Sequence, residues 1–430
     1  MAPAQADPFR EAYQAMLDAA APVAQVQTAY AAEYAISVLM GGVYSLASES
    51  DRRGQIHEFV DNFVKFLGRR RSVEALVTLA GLSGVAPGPG ADRAGRAVQR
   101  FAERDMTVPR WVTHAGKVTC TGAWHVNDVF GDQTHYLIGY AYNDPVVGGP
   151  EHVVCALVDH NRGTVADLVV SSPASDVVDG WRETAKHTEG MVTVDPIEPA
   201  VARARVEPHL LRTEGSAPPG GQQFLDHWAL LAARLNVLPQ VPGERPKPLA
   251  AEARSAIVTS FLGSPEGQQA TSALGPDVAR AGAKLMVDYA VDANSGDPLR
   301  WSPQAAQLFM KEWVPAQSLP GDAAVWLPQL MDRFVTYAAH VKELPPGALA
   351  GTRGAIAQLA GGQPDTGAPG ADPAANPDGS SGSTLDPAMK AEVVEQVLRD
   401  MMADGVDPHD DEAARRWLAE YLEEGNDQQR

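Results

Sequence analysis

Five side chains suited to acid–base or metal chemistry lie close together in the sequence: His125, Asp128, Asp132, His135 and His160. Imidazole and carboxylate groups together form a workable ligand set for Zn, Mn or Fe. Their spacing matches no established metal motif such as HExxH, so we first expect turn hydrogen bonds for the aspartates and partial exposure for the histidines. A metal-dependent or acid–base enzyme using these five residues is the alternative.

Other catalytic arrangements find little support in the sequence. Asp159 and His160 are adjacent, but no G-x-S-x-G nucleophile motif occurs, and Cys155 lies in an apolar run where a thiol is unreactive. Neither a Walker A loop nor a G-x-G-x-x-G motif after a strand is present. Cys120 and Cys155 form no CxxC motif. We expect two free, buried thiols, and a disulfide between them is the alternative. The sequence identifies no cofactor and leaves open whether the protein is an enzyme.

Alternation of apolar and polar residues places the five side chains on a predicted β-meander. The period-two pattern begins after Pro109 and is interrupted by loops rich in Gly, Pro, Asn and Asp. The predicted strands are Lys117–Trp124, His135–Tyr142, His152–Asp159 and Thr164–Ser171. Short turns join the strands, so we expect three or four antiparallel strands. The pattern does not decide whether the five side chains converge.

Apolar residues at helical spacing flank the meander on both sides. Four amphipathic stripes with short connections predict a helical bundle at residues 1–108. The meander with a flanking helix occupies 109–190, and a larger helical region follows at 191–345. We therefore predict an α+β, mostly helical fold.

One loop of the larger helical region combines an arginine and a tryptophan, in the sequence NSGDPLRWSP from Asn294 to Pro303. A recognition patch formed by Arg300 and Trp301 is one interpretation. We favour a connection between two helices, with Trp301 packed in the core and Ser302 as the cap of the next helix.

A linker and an acidic helical module are predicted at the end of the chain, at 346–384 and 385–430. The stretch from Gly361 to Thr384 has no Leu, Ile, Val, Met or aromatic residue, which is typical of a flexible segment. The module contains thirteen acidic and five basic side chains. Its apolar stripe includes Trp417, Leu418 and Tyr421, which we predict to bind a protein partner or to dock on the chain itself.

Net charge and the distribution of apolar residues limit which partners the protein can bind and in which compartment we expect it. The formal net charge is −19, and such a charge repels both nucleic-acid phosphates and anionic membrane surfaces. The first residues resemble no signal peptide, and no stretch has the roughly eighteen apolar residues of a membrane span. We therefore expect a cytoplasmic protein that binds neither nucleic acid nor membrane.

Three stretches of the chain resemble a family of uncharacterised actinobacterial proteins. They read DVFGDQTHYLIGYAY…HVVCALVDHNRG, SFLGSPEG…MVDYAVDANSGDPLRWSP and VLRDMMADGVDPHDDEAARRWLAEYLEE, and cover about a third of the chain. The resemblance implies one shared architecture, a cytosolic setting and a recurrent C-terminal module. It supplies no catalytic residues and no mechanism. The leading hypothesis is a cytosolic, non-enzymatic protein that acts through protein contacts.

Overall fold

The computed structural model describes residues 9–102, 108–171, 173–216, 221–241, 249–294, 296–317 and 323–361, without the side chains of residues 102 and 324. The chain divides into two units, Met1–Ala374 and Ala375–Arg430. The predicted acidic module and residues 362–384 of the predicted linker lie outside the described residues.

Five helices form the N-terminal bundle. They are α1 (Arg10–Ala19), α2 (Ala29–Leu46), α3 (Arg52–Gly68), α4 (Val73–Val85) and α5 (Gly90–Ala102). The side chains of Thr28 and Ser72 accept hydrogen bonds from the first turns of α2 and α4, which fixes where these helices begin. α4 is apolar on nearly all sides and buried on nearly all sides, so it forms the centre of the bundle.

A five-stranded antiparallel sheet follows the bundle. Its elements are β1 (Val118–Asp128), β2 (Gln133–Tyr142), the short helix α6 (Pro145–Gly148), β3 (His152–Asp159), β4 (Thr164–Ser171), α7 (Ala174–His187) and β5 (Val192–Pro196). The strand order is β4-β3-β2-β1-β5. The four predicted strands are confirmed as a meander, and β5 adds a fifth strand that pairs with β1.

The two faces of the sheet are covered by different elements. Tyr136, Ile138 and Tyr140 face the bundle and two further helices, α8 (Pro199–Glu214) and α9 (Gln222–Val237), in one continuous core. Val126 and Leu137 face α7 in a smaller core on the opposite side. The sheet is therefore buried on both faces, which explains its high content of Val, Ile, Leu and Tyr.

Six helices form a separate core after α9. They are α10 (Ala251–Gly263), α11 (Pro265–Leu274), α12 (Pro276–Asp292), α13 (Pro303–Leu308), α14 (Ala323–Val341) and α15 (Pro346–Ala360). Trp301 and Phe309 lie in this core, with Trp301 only 3% exposed. Ser302 caps α13 by accepting a hydrogen bond from Ala305 N at 2.8 Å. The helix-to-helix interpretation of this loop is confirmed for Trp301 and Ser302.

The α+β, mostly helical fold class is confirmed, but the structure groups the segments differently from the predicted boundaries. β5 belongs to the sheet although it lies within 191–345. α8 and α9, also within that range, share their core with the bundle and the sheet. The predicted linker 346–384 is wrong over its first fifteen residues, which form α15. Ile356 of α15 packs in the C-terminal core, and this burial stabilises the helix. The helix was not predicted because its sequence is rich in Ala and Gly.

Candidate functional site

His125 and His135 lie on opposite faces of the sheet. His125 is paired with Tyr136, and His135 is paired with Val126. Paired residues in antiparallel strands point to the same face, and successive residues alternate. His125 therefore shares the bundle side with Tyr136, whereas His135 shares the α7 side with Val126. The two imidazoles cannot belong to one site.

His135 is a half-buried residue beside α7, which agrees with the expectation of partial exposure. Its ring lies 4.8 Å from the ring of Trp181 on α7. Burial lowers the pKa of His135 to about 4, and the Asp167 carboxylate counteracts this shift only in part. An uncharged imidazole packed against an indole contributes to the small core beneath α7.

Asp128 closes the β1–β2 hairpin through backbone hydrogen bonds. Its Oδ1 accepts from Phe130 N at 2.7 Å, and its Oδ2 accepts from Gln133 N at 2.6 Å. Burial raises the pKa of Asp128, and these backbone donors counteract the shift. The expectation of a turn hydrogen bond is confirmed for this residue.

Asp132 joins the sheet to the C-terminal helical core through Arg300. Arg300 Nη1 lies 3.3 Å from Asp132 Oδ1, and both side chains are buried. The Arg300 guanidinium also donates to Gly131 O, Asn161 Oδ1 and Asn294 Oδ1. Burial raises the pKa of Asp132 to about 6, although the Arg300 charge lowers it. We interpret this arrangement as a structural junction between the turns of the sheet and the C-terminal helical core.

Hydrogen bonds link His125 and His160 along the bundle side of the sheet. Asn127 Nδ2 lies 3.2 Å from His125 Nδ1, and Thr134 Oγ1 donates to Asn127 Oδ1 at 2.9 Å. Thr134 Oγ1 also lies 2.9 Å from His160 Nε2. Because the Thr134 proton is given to Asn127, we assign a proton to His160 Nε2. His125 Nε2 faces the Asp195 carboxylate at 3.9 Å.

The five predicted site residues therefore occupy different environments. His125 and His160 belong to one hydrogen-bonded chain, Asp128 and Asp132 to the adjoining turn, and His135 to the opposite face. In the part of the chain that the structure describes, no group of three His, Cys, Asp or Glu side chains is placed to hold a metal ion. The described residues therefore provide no set of ligands for the metal-dependent enzyme hypothesis.

The C-terminal helical core has a groove on its surface. The groove has a volume of about 310 Å³ and lies between α11, α14 and α15. Its apolar lining includes Ala270, Leu274, Pro328 and Ile356.

Two arginines stand beside the groove. Arg353 Nε donates to Asp332 Oδ1 at 2.6 Å, and Arg333 Nη1 lies 3.9 Å from Asp332 Oδ2. The arginine side chains are 50% and 46% exposed, so both also face solvent. One carboxylate between two guanidinium groups leaves the rim with a net positive charge. Sequence reasoning missed this groove because α11 and α15 were not predicted.

Comparison with protein-family models, curated proteins and solved structures finds no match for this chain. The resemblance to actinobacterial proteins therefore stays a prediction. Within the described ranges, no helix has both the length and the apolarity that crossing a membrane requires. Trp417, Leu418 and Tyr421, predicted to bind a partner, lie outside the described residues.

Proposed function

We propose that this is a cytosolic, non-enzymatic protein that acts through protein contacts, and that the α11–α14–α15 groove receives an acidic amphipathic helix of a partner protein. The observation that carries the proposal is an apolar groove with two half-exposed arginines at its rim. An amphipathic helix buries its apolar stripe in such a groove, while its acidic residues face the arginines.

The exposed face of α14 continues the groove along the helix axis. Val325, Gln329 and Asp332 are spaced four and three residues apart, so they lie on one face. Val325 is 69% exposed although it is apolar. A partner helix lying along this face covers Val325 and places its acidic side near Arg333.

The test measures binding of a fluorescent, twenty-residue helical peptide with Leu and Trp at one apolar face and Glu elsewhere. Fluorescence anisotropy with the full chain should give saturable binding. Ala357→Trp, which fills the groove, and Arg353→Glu, which reverses a rim charge, should each weaken binding about ten-fold or more. Arg182→Glu on α7, where Arg182 pairs with Asp179 at an exposed site, should leave it unchanged.

A chain ending at Gly361 distinguishes two sources of the bound helix. If residues 385–430 of the same chain compete for the groove, the shortened chain binds the peptide more tightly than the full chain. Equal affinity assigns the groove to a partner protein. The proposal fails if neither chain binds the acidic peptide, or if a peptide with Lys in place of Glu binds equally well.

A further inference from the structure

Basic side chains cluster where α8 passes the β3–β4 turn. Arg205, His209 and Arg212 are spaced four and three residues apart, which places them on one face of α8. The ring of His160, at the start of the turn, lies 5.4 Å from the ring of His209. Arg212 approaches the same turn so closely that a Cβ added at Gly163 would lie 2.5 Å from Arg212 Nη1. We name Arg205, His209, Arg212 and His160 the α8 basic cluster.

Hydrogen bonds orient both imidazole rings of the cluster. His209 Nδ1 lies 2.7 Å from Arg205 O, and a carbonyl oxygen only accepts, so this nitrogen carries a proton. His160 Nε2 donates to Thr134, as argued above. Among the described residues, no hydrogen-bond partner is found for His209 Nε2 or His160 Nδ1. Each nitrogen is an acceptor in the neutral ring and becomes a donor to an anion when it takes up a proton.

Positive charges surround both rings. Burial, His209, Arg300 and Arg205 together lower the pKa of His160 to about 4. Burial lowers the pKa of His209 as well, with Arg212 and Arg205 adding to the effect and a hydrogen bond to the Arg205 carbonyl opposing it.

The nearby carboxylates have other partners. Asp132 faces Arg300, and Asp159 accepts hydrogen bonds from the backbone of the β3–β4 turn and lies 3.9 Å from Arg162. In a chain of net charge −19, a cationic cluster with so little carboxylate compensation is an unusual local feature.

We propose that the α8 basic cluster binds a phosphate group, as inorganic phosphate or as a phosphate monoester. Two guanidinium groups offer paired N–H donors that match phosphate oxygens. The two imidazoles, whose pKa values are lowered in the free protein, take up a proton more readily once an anion lies beside them. A bound dianion offsets the repulsion between the Arg205 and Arg212 charges. This site lies on α8 and the sheet, and is therefore independent of the proposed groove.

The experiment titrates the full chain with inorganic phosphate and with glycerol 3-phosphate, using isothermal calorimetry at constant ionic strength. One saturable site is expected. Arg205→Gln and Arg212→Gln should each weaken binding about ten-fold, the effect expected for losing one charge-assisted hydrogen bond. Arg182→Gln, a matched change on another exposed helix, should have no effect, and circular dichroism should show that all three variants are folded.

A second measurement reports on the cluster directly. The pKa values of His160 and His209, followed by NMR of histidine-labelled protein, should rise when phosphate binds, because the anion stabilises the imidazolium form. Equal affinity for the two probes identifies the phosphate group alone as the ligand, and tighter binding of glycerol 3-phosphate identifies a monoester. The proposal is overturned if neither probe binds saturably, or if both arginine variants bind like the unmodified chain. It is also overturned if acetate raises the pKa values of His160 and His209 as much as phosphate does.

Discussion

Glu33 of α2 and Arg234 of α9 form a fully buried ion pair, with 2.7 Å between Glu33 Oε2 and Arg234 Nη2. Arg234 Nη2 also donates to Tyr142 OH at 2.9 Å, and Arg234 Nε donates to His152 Nε2 at 3.1 Å. Glu33 Oε1 accepts from Gly116 N at 2.7 Å. The network ties the N-terminal bundle, the sheet and α9 together inside one core.

Removing one partner of this pair should destabilise the protein strongly. Arg234→Met leaves the Glu33 carboxylate buried without its counter-charge, and Glu33→Leu leaves the guanidinium alone. We expect each variant to lower the free energy of unfolding by about 3–5 kcal/mol. The double variant should lose less than the sum of the two, measured by urea denaturation. A double variant that loses the full sum would show that the charges do not interact.

The Arg300 junction should matter for stability in the same way. Arg300→Met removes the hydrogen bonds to Gly131 and Asn161 and leaves Asp132 without its cation. We expect a loss of about 2–4 kcal/mol in the free energy of unfolding. Arg162→Met is the matched control, because Arg162 is 67% exposed and its contact with Asp159 is long. Equal effects of the two changes would argue against a junction at Arg300.

Acidification should destabilise the protein. Burial lowers the folded-state pKa of His135 and His160 to about 4 and that of His152 to about 3, below the ordinary value of 6.5. The unfolded chain therefore binds more protons as pH falls below 6.5. Stability decreases until about pH 4 through His135 and His160, and until about pH 3 through His152. Asp132, with its pKa raised to about 6, acts in the opposite direction between about pH 4 and 6. Three histidines outweigh one aspartate, so the net effect should be on the order of several kcal/mol.

Denaturation by urea in phosphate-free buffer at several pH values checks this dependence. His135→Phe keeps a ring against Trp181 and removes one titrating group, so its stability should depend less steeply on pH. The change His187→Phe serves as the control, because His187 is 71% exposed. A pH profile of His135→Phe identical to that of the unmodified chain would contradict the assignment of His135 as a half-buried, neutral residue.

The fourth prediction concerns α15, the helix within the predicted linker. Ile356 is 3% exposed and packs in the C-terminal core. Ile356→Ala should lower the free energy of unfolding by about 2–4 kcal/mol, because it leaves a cavity. Gln358→Ala, an exposed change on the same helix, should stay within about 0.5 kcal/mol. If Ile356→Ala were equally neutral, α15 would not be part of the core.

Local signals in the sequence determined most of the strands, several helix starts and the role of one turn residue. Alternation located strands β1 to β4, a cap at Ser302 located a helix start, and turn chemistry explained Asp128. Each of these depends on residues a few positions apart. β5 was not predicted because it has only five residues and one buried side chain, so its alternation of apolar and polar residues is too weak to recognise.

Only the tertiary structure decided which residues meet. Glu33 and Arg234 are far apart in the chain, as are Asp132 and Arg300, and no local pattern connects them. Strand register placed His125 and His135 on opposite faces, which separated the predicted site. The groove and the α8 basic cluster likewise arise where distant helices and turns pack together. Local spacing sets which face a side chain occupies, whereas burial of apolar surface across the whole chain sets what that face meets.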